Sequence, residues 1–132
     1  MAEVEYLGDL RTKATHLKSG NSYTSDAPID NQGKGEAFSP TDLVSAALPS
    51  CMMTIMGQVA TRESVDLRGL KSEVVKIMSA NPRKIAEIKV RFFHPNLVAT
   101  AVQKQKLENA ARTCPVALSL SADLKQTVTF EW

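Results

Sequence analysis

Two cysteines, Cys51 and Cys114, are the side chains of this sequence best suited to covalent chemistry. A thiolate is a strong nucleophile, and a sulfenic acid formed on one cysteine condenses readily with a second thiol to give a disulfide. Cys51 lies in an uncharged stretch with Leu48 and Ile55 a turn to either side, where a cysteine can also serve as a small core residue. Cys114 precedes Pro115, the natural first residue of a helix running to about Leu120. That puts Cys114 at an N-cap, facing free backbone N–H groups and the positive end of the helix dipole, a setting that lowers a thiol's pKa. Spacing alone does not bring the two sulfurs together. His16 and His94 are too few and too isolated for a metal centre, so no metal is expected. Gly33 and Gly35 flank Lys34 as in a phosphate cradle, but the lysine-then-serine/threonine ending and the preceding buried strand are missing.

These thiols need elements to hold them. Residues 39–62 supply the main one. Ser39 suits an N-cap, Pro40 the first helical position, and Asp42 lies three residues past the cap. From Leu43 to Ala60 no side chain is charged and apolar residues occupy nearly every face, the pattern of a helix surrounded by other elements. Pro49 removes one amide from the ladder and is expected to bend it. Before this helix, residues 2–25 alternate loosely around the turn signals Gly8-Asp9 and Ser19-Gly20-Asn21, which fits a three-stranded antiparallel meander. Residues 26–38 form a loop. After the helix, 71–78 and 84–93 read as a hairpin with one charged face. Residues 100–113 are amphipathic and helical, a short helix follows Pro115, and 125–132 alternate as a closing strand. The order βββ–α–ββ–α–α–β is an α+β arrangement, with antiparallel sheets packed around a long central helix.

A chain of 132 residues, 43% apolar and 23% charged, is one ordinary globular domain, 1–132. A net charge of +2 and few aromatics argue against a nucleic-acid surface, so no nucleic acid is expected as partner. The start carries Glu3 and Glu5 where a secretory signal would be basic and then apolar. Pro49 and the polar Ser45, Ser50, Thr54 and Gln58 make 43–60 a poor lipid span, so no membrane association is expected. A cytoplasmic protein follows, in which cysteines serve chemistry or packing more often than permanent disulfides.

The segment Thr24-Ser25-Asp26-Ala27-Pro28, the glycines Gly33 and Gly35, and Ser39-Pro40-x-Asp42-Leu43-Val44-x-Ala46-Ala47-Leu48-x-x-Cys51 resemble the OsmC/Ohr family. Cys114-Pro115-Val116 resembles that family's second cysteine motif, and element order and length agree over the whole chain. The resemblance implies an intertwined homodimer with the long helix in its core and thiol sites at the interface. It implies that Cys51 attacks an organic hydroperoxide, that Cys114 resolves the sulfenic acid, and that a dithiol reductant reopens the disulfide, with no cofactor. Two departures stand out. The peroxidases of the family carry a glutamate directly after the helix-start proline, paired with an arginine that activates the thiolate. Here Thr41 takes that place with Asp42 one residue on, and the arginine's place falls to Lys18, Arg11 being the nearest arginine on the N-terminal strands. Lysine lacks the bidentate fork of arginine. The expectation is a divergent OsmC-like thiol peroxidase with Lys18 or Arg11 as the cation serving Cys51. Two alternatives remain: a small-ligand-binding protein whose cysteines are incidental, and a redox sensor without turnover.

Overall fold

A computed structural model describes residues 1–132 in the order β1 (Ala2–Gly8), β2 (Arg11–His16), β3 (Ser22–Asp26), α1 (Pro40–Arg62), β4 (Lys71–Ala80), β5 (Arg83–Phe93), α2 (Ala101–Arg112), α3 (Pro115–Ser119) and β6 (Lys125–Glu131). The expected α+β class and element order hold. The chain divides into two units, Met1–Val44 and Ser45–Trp132.

In the first unit β1, β2 and β3 form the antiparallel meander that the turn signals predict. Asp9 and Leu10 both take positive φ, 51° and 60°, to close the β1–β2 hairpin. Such a two-residue turn matches the right-handed twist of the strands it joins. Val4, Ala14 and Tyr23 fall in cross-strand register on one face. Ala14 is buried, whereas Val4 and Tyr23 are 65% and 52% exposed. The loop after β3 makes one 3-10 turn at Ile29–Asn31. The Gly33 N–H donates to the Pro28 carbonyl at 3.0 Å and the Gly35 N–H to the Ala27 carbonyl at 3.2 Å. Gly33 lies so close to Ala27 that a Cβ there would fall 1.7 Å from its carbonyl oxygen. The loop delivers the chain to a capping box: the Asp42 N–H donates to Ser39 Oγ at 3.1 Å, and the Ser39 N–H donates to Asp42 Oδ2 at 2.8 Å.

In the second unit β4 and β5 pair antiparallel, but β6 lies parallel to β5. This corrects the expectation of purely antiparallel sheets. The chain leaves β5, crosses back through α2 and α3, and enters β6 in the same direction, as a helical crossover allows. Ile88, Val90 and Phe92 from β5 share a core with Leu48, Met52, Met56 and Ala60 from α1 and Leu107 and Ala111 from α2. Each fully buried Leu, Met or Phe contributes about 1.5–3 kcal/mol over its exposed state. Phe92, Phe130 and Trp132 stack in sequence at 5.3 and 5.5 Å, and the Trp132 indole N–H donates to Glu108 at 2.9 Å.

Helix α1 runs unbroken through the buried Pro49. Within one chain the helix is not covered on every face. Ser45, Leu48, Met52, Met56 and Ala60 are buried, while Val44, Ala47, Ser50, Thr54 and Gln58 form an exposed row at helical spacing. Its length and composition alone would let α1 cross a membrane, yet one face belongs to the core of this unit.

Candidate functional site

Cys51 and Cys114 both belong to the second unit. Cys51 projects from α1, half-buried against the core, and Cys114 is fully buried at the start of α3. The N-cap reading of Cys114 holds. Its backbone is extended (φ −68°, ψ 149°), Pro115 takes the first helical position, and Sγ accepts the Ala117 N–H at 3.4 Å. The Cys114 N–H donates to the Ala111 carbonyl at 3.3 Å, tying the cap to the end of α2. Gln126 on β6 donates to the Ala117 carbonyl at 2.9 Å, which fixes α3 from the other side. Cys114 is therefore tied to the end of α2 and to α3, and α3 to β6.

The two thiols are both reduced, and Cys51 is near enough to Cys114 to shift its pKa. The lowered pKa expected from the N-cap is not what results. Burial pushes the Cys114 thiol up, the Ala117 N–H opposes this, and the hydrogen bond and charge of Cys51 push it further up. Desolvation of a thiolate outweighs one backbone N–H bond. A partly buried cysteine near a fully buried, protonated one is an arrangement in which the first can meet a substrate and the second can capture the product.

Arg11, in the first unit, does not stand free. Its guanidinium lies 3.2 Å from Glu36 Oε2 and 3.7 Å from Asp26 Oδ2. The Asp26 carboxylate is fully buried and is lowered chiefly by the Glu36 N–H that donates to it at 3.0 Å; burial opposes this, and the Arg11 charge adds to it. Arginine thus has a carboxylate pair, supplied by the end of β3 and the following loop rather than by the start of α1. Sequence reasoning missed Glu36. The signal lay in the strand register, which sets Arg11 opposite Asp26.

Asp42, Lys18 and the two histidines have the following surroundings. Asp42 accepts from the Ser39 N–H and hydroxyl, both at 2.8 Å, in the cap of α1. Lys18 is exposed on the turn after β2. His94 is buried with Nε2 3.0 Å from the Arg68 carbonyl, and His16 Nδ1 lies 2.7 Å from Ser19 Oγ. No three His, Cys, Asp or Glu side chains gather where a metal ion could be held.

The family model for OsmC-like proteins matches residues 33–129. A Psychrobacter arcticus 273-4 protein assigned to osmotic stress induction and detoxification response is 45% identical, with 98% of this chain and 94% of that one covered at a TM-score of 0.94. An organic hydroperoxide resistance protein, OsmC, from Legionella pneumophila shares the fold at 16% identity and a TM-score of 0.74, covering 100% and 96% of the two chains. An OsmC-like protein from Vibrio cholerae does so at 15% identity and 0.79, with 97% of each chain covered. No curated relative matches the chain by sequence.

Proposed function

The chain belongs to the OsmC-like family, and from that premise we propose that it is a thiol-dependent peroxidase that reduces organic hydroperoxides. The observation that carries the reading is the pairing of a partly buried Cys51 with a fully buried Cys114 whose pKa it influences. The Cys51 thiolate attacks the O–O bond of the hydroperoxide, taking one oxygen as sulfenic acid and releasing the alcohol. Cys114 gives up its proton and attacks the Cys51 sulfur, water leaves, and a disulfide remains. A dithiol restores both thiols and becomes a disulfide itself. The apolar surroundings of Cys51 suit an apolar hydroperoxide.

The working form is a homodimer. Val4 and Tyr23 leave one face of the β1–β3 sheet open, and α1 carries its own exposed row. A three-stranded sheet with an uncovered apolar face gains little stability alone, and a second copy would cover it. Light scattering should give twice the chain mass, and Val4→Lys with Tyr23→Lys should shift it toward the monomer.

The reaction is tested by intact mass and free-thiol count after one equivalent of an organic hydroperoxide, beside Cys51→Ser and Cys114→Ser. Loss of two hydrogen atoms from the wild type, with an oxygen adduct only in Cys114→Ser, is the expected result. An unchanged wild type would make the cysteines core residues and the protein a ligand-binding member of its fold. One stoichiometric oxidation without continued peroxide consumption under excess dithiol would make it a sensor.

A further inference from the structure

The peroxidase reading requires a disulfide to be reopened, and two sulfurs are then available to the reductant. We infer that the reducing thiol attacks Cys51 Sγ and expels Cys114. This deepens the proposed function and rests on its disulfide. The two cysteines differ in access: Cys51 keeps some exposed surface, whereas Cys114 is fully buried and is tied to the end of α2 and to α3, which Gln126 of β6 holds through Ala117. Association with a second copy can only remove surface, so Cys114 stays out of reach in any assembly.

Thiol–disulfide exchange proceeds by attack of a thiolate on one sulfur, with departure of the other along the S–S axis. Attack on Cys51 displaces the bonding pair onto Cys114 Sγ, to which the Ala117 N–H already points at 3.4 Å. Cys114 then takes a proton. The mixed disulfide on Cys51 is cleaved by the second thiol of the dithiol, which becomes oxidised and releases the Cys51 thiolate. Burial raises the Cys114 pKa, which makes it a slower leaving group but also keeps it protonated, and so slow to attack the mixed disulfide and close the bond again.

Cys51 is on this account the nucleophile toward the hydroperoxide and the electrophile toward the reductant, so both approach by one face. A stable apolar alcohol that occupies that face should inhibit competitively against both the hydroperoxide and the dithiol.

The test forms the disulfide without hydroperoxide. The wild-type protein is oxidised with diamide, loss of two hydrogen atoms is confirmed by intact mass, and the small neutral thiol 2-mercaptoethanol is added. Early samples are quenched in acid with N-ethylmaleimide and mapped as peptides. The expected result is a mercaptoethanol adduct on Cys51 in at least tenfold excess over Cys114, with maleimide on Cys114. An even split, or an adduct mainly on Cys114, overturns the inference. As a second measurement, Cys114→Ser should react with a chromogenic disulfide at least ten times faster than Cys51→Ser; equal rates overturn it. A chain that closes the disulfide with diamide but ignores hydroperoxide sinks the peroxidase reading and leaves this order of attack intact. A chain that closes no disulfide with diamide sinks both.

Discussion

Arg11 and Asp26 stand opposite each other in the β2–β3 register, and the guanidinium reaches within 3.7 Å of a carboxylate that solvent does not touch. Glu36 completes the group from the loop, its N–H on Asp26 and its carboxylate on Arg11. A buried carboxylate is costly unless charge and N–H donors surround it. Asp26 is therefore both an anchor for the 27–39 loop and the group that orients Arg11.

Asp26→Asn should lower the melting temperature at neutral pH, and the gap to wild type should close in acid. The sign follows from the direction of the shift. The folded-state pKa is depressed, first by the Glu36 N–H, so the contribution is complete above the unfolded value of about 3.9 and is lost as pH falls through the folded value. Melting curves from pH 7 to pH 2 measure this; a gap that stays constant would remove Asp26 from the linkage.

Arg11→Ala should lower the melting temperature at neutral pH, while Lys18→Ala leaves it unchanged. Arg11 faces the buried Asp26 carboxylate and the Glu36 carboxylate, whereas Lys18 is exposed on its turn. Melting curves decide the matter, and equal effects would take Arg11 out of the Asp26 group.

In Cys51→Ser, the alkylation rate of Cys114 should continue to climb with pH beyond the range in which a free thiol, pKa about 8.5, has levelled off. Burial is the first cause of that raised value and survives the substitution. Iodoacetamide rates between pH 7 and 10 measure it. A plateau at the ordinary thiol range would mean that Cys114 is solvated in solution.

Two glycines should respond in opposite ways. Gly33→Ala places a Cβ against the Ala27 backbone and should destabilise the loop, because backbone cannot move aside as a side-chain end can. A Cβ on Gly57 meets nothing within 4 Å, and the residue is inside α1, so Gly57→Ala should add about 0.5–1 kcal/mol. Urea unfolding of both variants checks the pair. Destabilisation by Gly57→Ala, with a shift toward monomer, would put this turn of α1 under a second copy.

Leu107→Ala should cost about 2–5 kcal/mol through lost burial and the cavity left in the core. Leu107 is fully buried on the inner face of α2 and belongs to the same core cluster as Cys114. A cost under about 1 kcal/mol would mean that α2 is not packed in this way.

Much of this protein follows from local chemistry along the chain. Ser39, Pro40 and Asp42 set the start of α1, Cys114-Pro115 sets the start of α3, and alternation marks the strands, because caps, turns and side-chain period act over a few residues. Contacts between distant segments obey no such local rule. The meeting of Cys51 with Cys114, the partnership of Arg11 with Asp26 and Glu36, and the parallel entry of β6 depend on how whole elements pack. The same holds for the Cys114 thiol, where the local N-cap favours the thiolate and burial among α2, α3 and β6 outweighs it. A single N–H bond is a property of sequence neighbours, while desolvation is a property of everything that surrounds the sulfur.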